Sequence, residues 1–396
     1  MTLIRLLIEN AYVGGGTART ISSTASALAD RGHDVEIVSV LRRRREPTFP
    51  IDPRVRLYPL VDEWAFRRRE APETIAARAA VAVRSTATKA PTLVGHRGDK
   101  RTRDWNPYTD VALLRFLRTV RGGVLVGTRP AVNLAIARWA RRDVVRVAQD
   151  HMNLASYKGG LLKAIGKAYP GLDAVVTLTE RDAEQYRAHL DGRTRVLAIP
   201  NGVPDLGGHR ATLDAKLVVT AGRLTAQKGY DRLLPVWAKV VEQRPDWRLE
   251  IYGSGPNEKK LRRQLKKLGL EGSAELMGRT DVLFERMARA SMFVMTSRHE
   301  GLPMVLLEAM GLGLPVVSYD CPTGPREVIT DGVDGYVVPN GDKDALAAQM
   351  IELMDHAEQR KRLGEGALAK AALFERGALA ERWERLFEEL AAAKPR

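Results

Sequence analysis

Short apolar runs recur along the chain, and stretches with helical spacing of their apolar positions lie between them. In the first half, LIRLLIE (3–9) and DVEIVSV (34–40) read as strands. Between them TARTISSTASALADRG (17–32) reads as a helix stopped by Gly32. VLVG (124–127), VVRVAQD (144–150), AVVTLT (174–179) and RVLAIP (195–200) continue the strand series. The segment IPNGVPDLGGHRATLDAK (199–216), rich in Gly, Pro and polar residues, breaks the rhythm and reads as a linker. The alternation then restarts with LVVTAGR (217–223), WRLEIYG (247–253), AELMG (274–278), MFVMTS (292–297), LPVVSYD (314–320) and GYVVP (335–339). A helical tail follows from Asp342, and its last part, 374–393, is amphipathic. Strands that alternate with helices predict parallel sheets covered on both faces. The predicted architecture is two doubly wound α/β domains, 1–205 and 206–373, with a helix at 374–396 returning to the first. A stretch from about 60 to 106, helix-prone and then polar and basic, reads as an insertion or mobile segment. Ligands of such sheets bind beyond the carboxyl ends of the strands, so the expected site is the cleft between the two domains.

Composition narrows the class. The chain has 396 residues, 44% hydrophobic and 28% charged, as expected of a folded globular protein. No apolar run approaches the roughly 18 residues of a membrane span. The start, MTLIRLLIEN, lacks the long apolar region and small-residue cleavage site of a secretory signal, so a cytoplasmic location is expected. The single cysteine, Cys321, permits neither an intrachain disulfide nor a cysteine-based zinc site. The net charge is +15 and uneven: residues 1–205 hold 34 basic and 21 acidic side chains, and residues 206–396 hold 29 and 27. The runs Arg42 to Arg45 and Arg67 to Arg69 are the densest in the basic half. Anionic lipid headgroups, nucleic acid or a phosphorylated substrate would suit that surface, and so would plain solvation. Aromatic residues do not interleave with the basic ones as a nucleic-acid stacking platform requires, so no nucleic-acid partner is expected.

Four loops just after strands carry candidate chemistry. NAYVGGGTART (10–20) places Gly14, Gly15 and Gly16 before a helix, either as a tight turn or to bring backbone amides close to an anion. QDHMN (149–153) places His151 at a strand end, where it is a structural histidine, a hydrogen-bond partner of a hydroxyl or a proton carrier. TAGRLTAQKG (220–229) offers Arg223 and Lys228, which are solvated cations or together neutralise a diphosphate. SRHEGLPMVLLEAM (297–310) holds two acids, Glu300 and Glu308, with seven residues between them. Pro303 suits the first turn of a helix, and the amides of Gly301, Leu302 and Met304 then face an anion at its N-terminus. Ser297 and Glu300 have capping-box spacing, but the helix is expected to start at Pro303, which fits a cap poorly. Glu300 is placed to accept from a polyhydroxyl ligand. Glu308, about 7–8 Å along the helix axis from Pro303, can take a second pair of hydroxyls. Acid, amides and acid in that order match hexose, diphosphate and ribose, a nucleotide sugar.

EGLPMVLLEA resembles the two-glutamate signature of the retaining glycosyltransferases of family 4, which have the GT-B fold. GRLTAQKG is similar to that family's Arg-x4-Lys-Gly loop, IYGSGPNEKKL to its Gly-x-Gly-Pro turn, and DCPTGPREVITDGVDGYVVPNGDKDAL to its C-terminal region. The resemblance is dense from about 195 to 350. In the first half it rests on the glycine loop, His151 and AVVTLTERD, and there the family usually has two glycines followed by Ala or Ser. The resemblance implies metal-independent transfer with retention at the anomeric carbon and no cofactor beyond a nucleotide-sugar donor, expected to be a UDP-sugar. It implies that Arg223, Lys228 and the Gly301–Met304 amides hold the leaving diphosphate. Glu300 would grip the sugar, Glu308 the ribose, and His151 the region near the reacting carbon. The donor phosphate would assist deprotonation of the acceptor. Gly14, Gly15 and Gly16 are assigned to donor binding, and backbone around Gly278 and Arg279 to the base.

The resulting expectation is transfer of a hexose or N-acetylhexosamine to a cell-envelope glycan, a lipid-linked or a phosphate-bearing acceptor, with peripheral contact to anionic membrane through the basic first domain. A glycosyltransferase of secondary metabolism and a non-catalytic binding protein of the same fold are the alternatives. A GT-B epimerase or phosphorylase is disfavoured by the two-glutamate signature. A nicotinamide enzyme is disfavoured because Glu258 stands where the third glycine after Gly253 and Gly255 belongs.

Overall fold

The computed structural model describes residues 1–67 and 90–394. The chain divides into two units, one formed by Met1–Gly202 with Arg376–Arg396 and the other by Val203–Glu375. The sequence reading places these divisions at 205 and 373.

The first unit runs β1 (Leu3–Ile8), α1 (Gly16–Asp30), β2 (Asp34–Arg42), β3 (Arg56–Asp62), α2 (Glu63–Arg67), α3 (Pro107–Thr119), β4 (Val124–Gly127), α4 (Pro130–Trp139), β5 (Val145–Gln149), α5 (Gly160–Ala168), β6 (Ala174–Thr177), α6 (Glu180–His189) and β7 (Arg195–Ala198). Its seven strands form one parallel sheet in the order β3-β2-β1-β4-β5-β6-β7. Successive side chains point to opposite faces of a strand, and both faces here are covered. Leu6 and Ile8 therefore enter one apolar core and Leu7 the other. Val124 and Val126 part from Leu125 in the same way. That double burial is why the strands read as continuous apolar runs.

β3 corrects the sequence reading, which assigns no strand to 56–62 and begins an insertion at about 60. The strand pairs with β2 at the sheet edge, with Pro59 opposite Ser39. An edge strand needs ladder donors on one side only, so it tolerates proline and polar residues that hide its pattern. Part of the expected insertion, 68–89, lies outside the described residues. Asn106 closes the far end of that stretch by capping α3: its side chain accepts from the Tyr108 and Thr109 amides, and its backbone amide donates to the Thr109 hydroxyl.

The second unit runs β8 (Leu217–Ala221), α7 (Tyr230–Gln243), β9 (Arg248–Tyr252), α8 (Glu258–Lys267), β10 (Ala274–Gly278), α9 (Leu283–Met287), β11 (Met292–Met295), α10 (Met304–Gly311), β12 (Val316–Tyr319), α11 (Pro325–Val328), β13 (Gly335–Val338), α12 (Lys343–Asp355) and α13 (Ala357–Ala372). Its six parallel strands are ordered β10-β9-β8-β11-β12-β13. The chain then returns to the first unit as α14 (Arg376–Ala392). Leu379, Ala380, Trp383, Leu386, Phe387 and Leu390 lie on one face of that helix and enter the core that holds Ile21, Ala25 and Leu28 of α1. Arg31 and His33, just past α1, bind Glu384 of the same helix.

Candidate functional site

In each sheet the strand order reverses once, between β1 and β4 in the first unit and between β8 and β11 in the second. Crevices at such reversals, beyond the strand carboxyl ends, are where open α/β sheets hold ligands. The four candidate loops emerge from the carboxyl ends of β1, β5, β8 and β11, and the turns at Gly253 and Gly278 lie at the carboxyl ends of β9 and β10.

In the second unit the loops after β8 and β11 are tied together residue by residue. Lys228 Nζ donates to Glu300 Oε1 at 2.8 Å. Gln227 Nε2 donates to the His299 carbonyl at 3.0 Å. The Arg298 guanidinium donates to the Ala226 carbonyl at 2.6 Å and forks onto both Asp231 oxygens at 2.8 Å. That fork holds the Asp231 carboxyl below its ordinary pKa. Gly229, at φ +69°, makes the approach possible: a Cβ there would stand 2.0 Å from the Thr296 carbonyl oxygen. Gly253 and Gly255 likewise have backbone where side chains would go, since added Cβ atoms would meet the carbonyl oxygens of Gly222 and Leu224 at 2.0 and 2.5 Å. The glycines that hinted at a dinucleotide fingerprint are accounted for by loop packing.

Glu300 is 7% exposed. Its Oε1 receives a second donor, Ser297 Oγ at 2.6 Å. The pair spaced like a capping box is thus a hydroxyl fixing a carboxylate. Backbone bonds add to this: the Glu300 amide donates to the Pro322 carbonyl, and Thr323 Oγ1 donates to the Glu300 carbonyl at 2.9 Å. Glu308 sits in the middle of α10, 4% exposed. The Met304 amide donates to the Leu302 carbonyl at 2.9 Å, which takes it out of the expected anion-binding set. Among the described residues the amides of Gly301 and Leu302 have no acceptor. Arg223 is exposed on the loop after β8 and forms no ion pair with the described residues. Gly278 ends the edge strand β10 and Arg279 follows it, and the Gly278 carbonyl is taken by the Gly253 amide at 2.7 Å. Cys321, just after β12 and near Glu300, is buried, and burial pushes its thiol up to about 12, so it stays an inert thiol.

Sequence reasoning missed Arg298, Asp231, Gln227 and Arg232. The last donates to the Thr296 and Ser297 carbonyls at 2.7 Å each and lies over the Tyr319 ring at 4.9 Å. Their roles depend on pairing between loops about 70 residues apart, and no local pattern signals that.

In the first unit, Gly14, Gly15 and Gly16 are exposed after β1, and added Cβ atoms at Gly15 and Gly16 would meet nothing within 4 Å. Packing does not require glycine there. What the two glycines provide is open space before the α1 N-terminus, whose first turn holds no acidic residue. His151 follows β5. The ring as a whole is half-buried, but its Nε2 is fully buried without a hydrogen-bond partner among the described residues. Burial, with Arg129 nearby, lowers its pKa to about 3. The ring is therefore neutral at ordinary pH, which argues against proton carriage. Beside it Asp150 is buried in a cage of three phenols, accepting from Tyr157 at 2.7 Å, Tyr169 at 3.1 Å and Tyr186 at 2.5 Å. Burial raises this carboxyl to about 6 against the opposing effect of those bonds. Glu9, at the end of β1, lies 3.1 Å from Arg129 at the end of β4. Burial raises the Glu9 pKa, and Arg129 opposes the rise. Glu9, Arg129 and His151 thus line the carboxyl edge of three adjacent strands.

Both units are similar to known proteins. Residues 14–205 match the family model "Glycosyltransferase Family 4", and residues 208–370 match "Glycosyl transferases group 1". The chain is 34% identical over 386 residues to an exopolysaccharide phosphotransferase of Streptomyces coelicolor, covering 96% of this chain and 40% of that protein. It is 27% identical to an amylovoran biosynthesis glycosyltransferase of Erwinia amylovora, covering 97% of this chain and 99% of the relative. Among solved structures, a point mutant of S. aureus TarM in complex with Fondaparinux, alpha-GlcNAc-glycerol and UDP superposes with a TM-score of 0.75 at 15% identity, covering 98% of this chain and 100% of that one.

Proposed function

The chain belongs to the glycosyltransferases of GT-B fold, and from that premise we propose that it transfers a hexose or N-acetylhexosamine from a UDP-sugar to a cell-envelope glycan that is lipid-linked or bears phosphate, with retention and without a metal. The observation that carries this reading is the Glu300 carboxylate, buried and fixed by Lys228 and Ser297 at the strand-order reversal of the second sheet. A carboxylate fixed in place before the ligand arrives orients sugar hydroxyls without reorganising in the transition state. Relatives point the same way: the Erwinia protein is named for amylovoran biosynthesis, and the S. aureus structure holds UDP and alpha-GlcNAc-glycerol.

In this reading Arg223, Lys228 and the amides of Gly301 and Leu302 hold the diphosphate, and Glu308 takes the ribose hydroxyls. The bond from the anomeric carbon to the phosphate oxygen breaks, and the bond to the acceptor oxygen forms on the same face. The acceptor proton passes to the departing phosphate oxygen, whose charge the two cations stabilise. His151 donates to or accepts from a sugar hydroxyl as a neutral ring. The basic first unit takes the acceptor and contacts anionic lipid.

A thermal-shift series with UDP, GDP and ADP tests the donor; saturation at 100 times Kd stabilises by about 2.7 kcal/mol. Glu308→Ala is expected to weaken UDP binding about tenfold or more, the worth of charged hydrogen bonds. Glu300→Ala is expected to lower kcat on the order of a hundredfold while UDP still binds. Full turnover by Glu300→Ala would sink the assignment.

A further inference from the structure

The ten residues of α8, EKKLRRQLKK, hold six cations and one acid. Residues 206–396 carry 29 basic and 27 acidic side chains in all, so outside this helix they carry 23 and 26. One short helix therefore concentrates the positive charge of a region that is otherwise slightly acidic. Leu261 and Leu265 anchor it in the core, and Glu258 pairs with Arg262 at 2.9 Å. Lys259, Lys260, Arg263, Lys266 and Lys267 make no ion pair within 4 Å of the described residues.

Glu258 in the first turn and Lys266 and Lys267 in the last suit the helix dipole, but Lys259, Lys260 and Arg263 do not serve the helix. Lys259 with Arg263 and Arg263 with Lys267 are like charges at i, i+4, and Lys260 with Arg263 at i, i+3; such pairs destabilise a helix. Lys259 and Lys260 also sit in the first turn, where the dipole disfavours cations. A cluster whose like charges repel along the helix, and of which five cations lack an ion pair among the described residues, is suited to an external anion.

Lys260, Arg263 and Lys267 share one stripe of the helix and line an open groove of about 650 Å³ with Gln264, Leu268 and Asp231. Three cations at steps of three and four residues span roughly 10 Å along the axis. The groove's acid, Asp231, is already held on both oxygens by Arg298, so it does not cancel the row. Gln264 fixes the other wall. Pro235 cannot supply the amide that the Asp231 carbonyl would normally accept in α7, and Gln264 Nε2 donates to that carbonyl instead at 2.9 Å. Asp231 and Arg298 also belong to the ties that hold Lys228 beside Glu300, so the groove adjoins the loops of the donor site.

We propose that this groove is an exosite for the anionic glycan chain of the acceptor, engaging repeated phosphate or carboxylate groups away from the reacting end. The inference rests on the reading of the acceptor as an anionic envelope glycan. A row of charges along a groove suits a linear polyanion better than a single phosphate. The outward face of α8 carries no Trp, Phe or Leu of the kind an interfacial membrane helix inserts, which disfavours a bilayer as occupant.

The test uses the full chain and a variant carrying Lys260→Gln, Arg263→Gln and Lys267→Gln together. Linear poly(glycerol phosphate), neutral dextran and equimolar phosphatidylcholine–phosphatidylglycerol vesicles are the probes, titrated across a salt series. The expected result is poly(glycerol phosphate) binding weakened about tenfold or more, with the slope of log affinity against log salt reduced by about 2, near the value for three lost contacts to a flexible polyanion. Dextran binding should be negligible in both proteins. Unchanged polymer affinity in the variant overturns the proposal, and so does loss of vesicle binding with polymer binding intact. UDP thermal shift separates the two readings. A UDP shift with unchanged polymer affinity overturns the groove alone. A charge-dependent polymer site without any UDP shift keeps the groove and overturns the donor assignment.

Discussion

His151 and Asp150 are adjacent residues whose burial has opposite consequences. The folded histidine titrates near 3 rather than 6.5, so the unfolded chain binds more protons between those values and His151 costs stability as pH falls below 6.5. Asp150 titrates near 6 rather than 3.8, so the folded chain binds more protons there and that contribution is lost as pH rises from about 4 to 6. The two slopes oppose each other over the shared window. His151→Gln should remove one of them: from pH 6.5 to 4, wild type should lose Tm relative to the variant. Thermal unfolding of both proteins across that range checks it, and a constant difference would show that the histidine is not held neutral. The sequence exposed His151 and Glu300 as candidates because each follows an apolar run. It could not show that three tyrosines, drawn from positions 157 to 186, would surround Asp150. Nor could it show that Ser297 would serve Glu300 rather than a helix end.

The elements that form the second site are two loops and the helices they open. Gly229 is the point where they touch. Gly229→Ala forces a side chain into φ +69° and into the Thr296 carbonyl. The left-handed conformation alone costs about 1–2 kcal/mol, and the clash adds to it. The expected outcome is a destabilised second unit with weakened UDP affinity, read by thermal shift with and without nucleotide. Wild-type affinity in this variant would mean that the two loops need not meet. At this scale the strands with two buried faces were legible from their apolar runs, as at β1, β4 and β11. β3 was not, because an edge strand containing Pro59 carries neither a continuous apolar run nor a clean alternation.

At the scale of the whole molecule, the chain leaves the first unit at Gly202 and returns to it at Arg376. α14 therefore contributes to a core whose other residues lie far back in the sequence, with Trp383 3% exposed among them. Trp383→Ala should destabilise the first unit by about 3–5 kcal/mol, the usual cost of emptying a large aromatic site. UDP binding, assigned to the second unit, should persist in the folded variant. Calorimetry with and without UDP reads both, and loss of the nucleotide shift at temperatures where the protein remains folded would contradict that assignment. By itself the sequence determined two parallel α/β sheets, the loops at their strand ends and the acid, cation and glycine residues on them, because each of these is written in local periodicity and spacing. The tertiary structure alone decided which of those residues meet: Lys228 with Glu300, Arg298 with Asp231, and the cations of α8 with a groove. Such contacts join segments tens of residues apart, and their geometry is set by strand order, which no local pattern encodes.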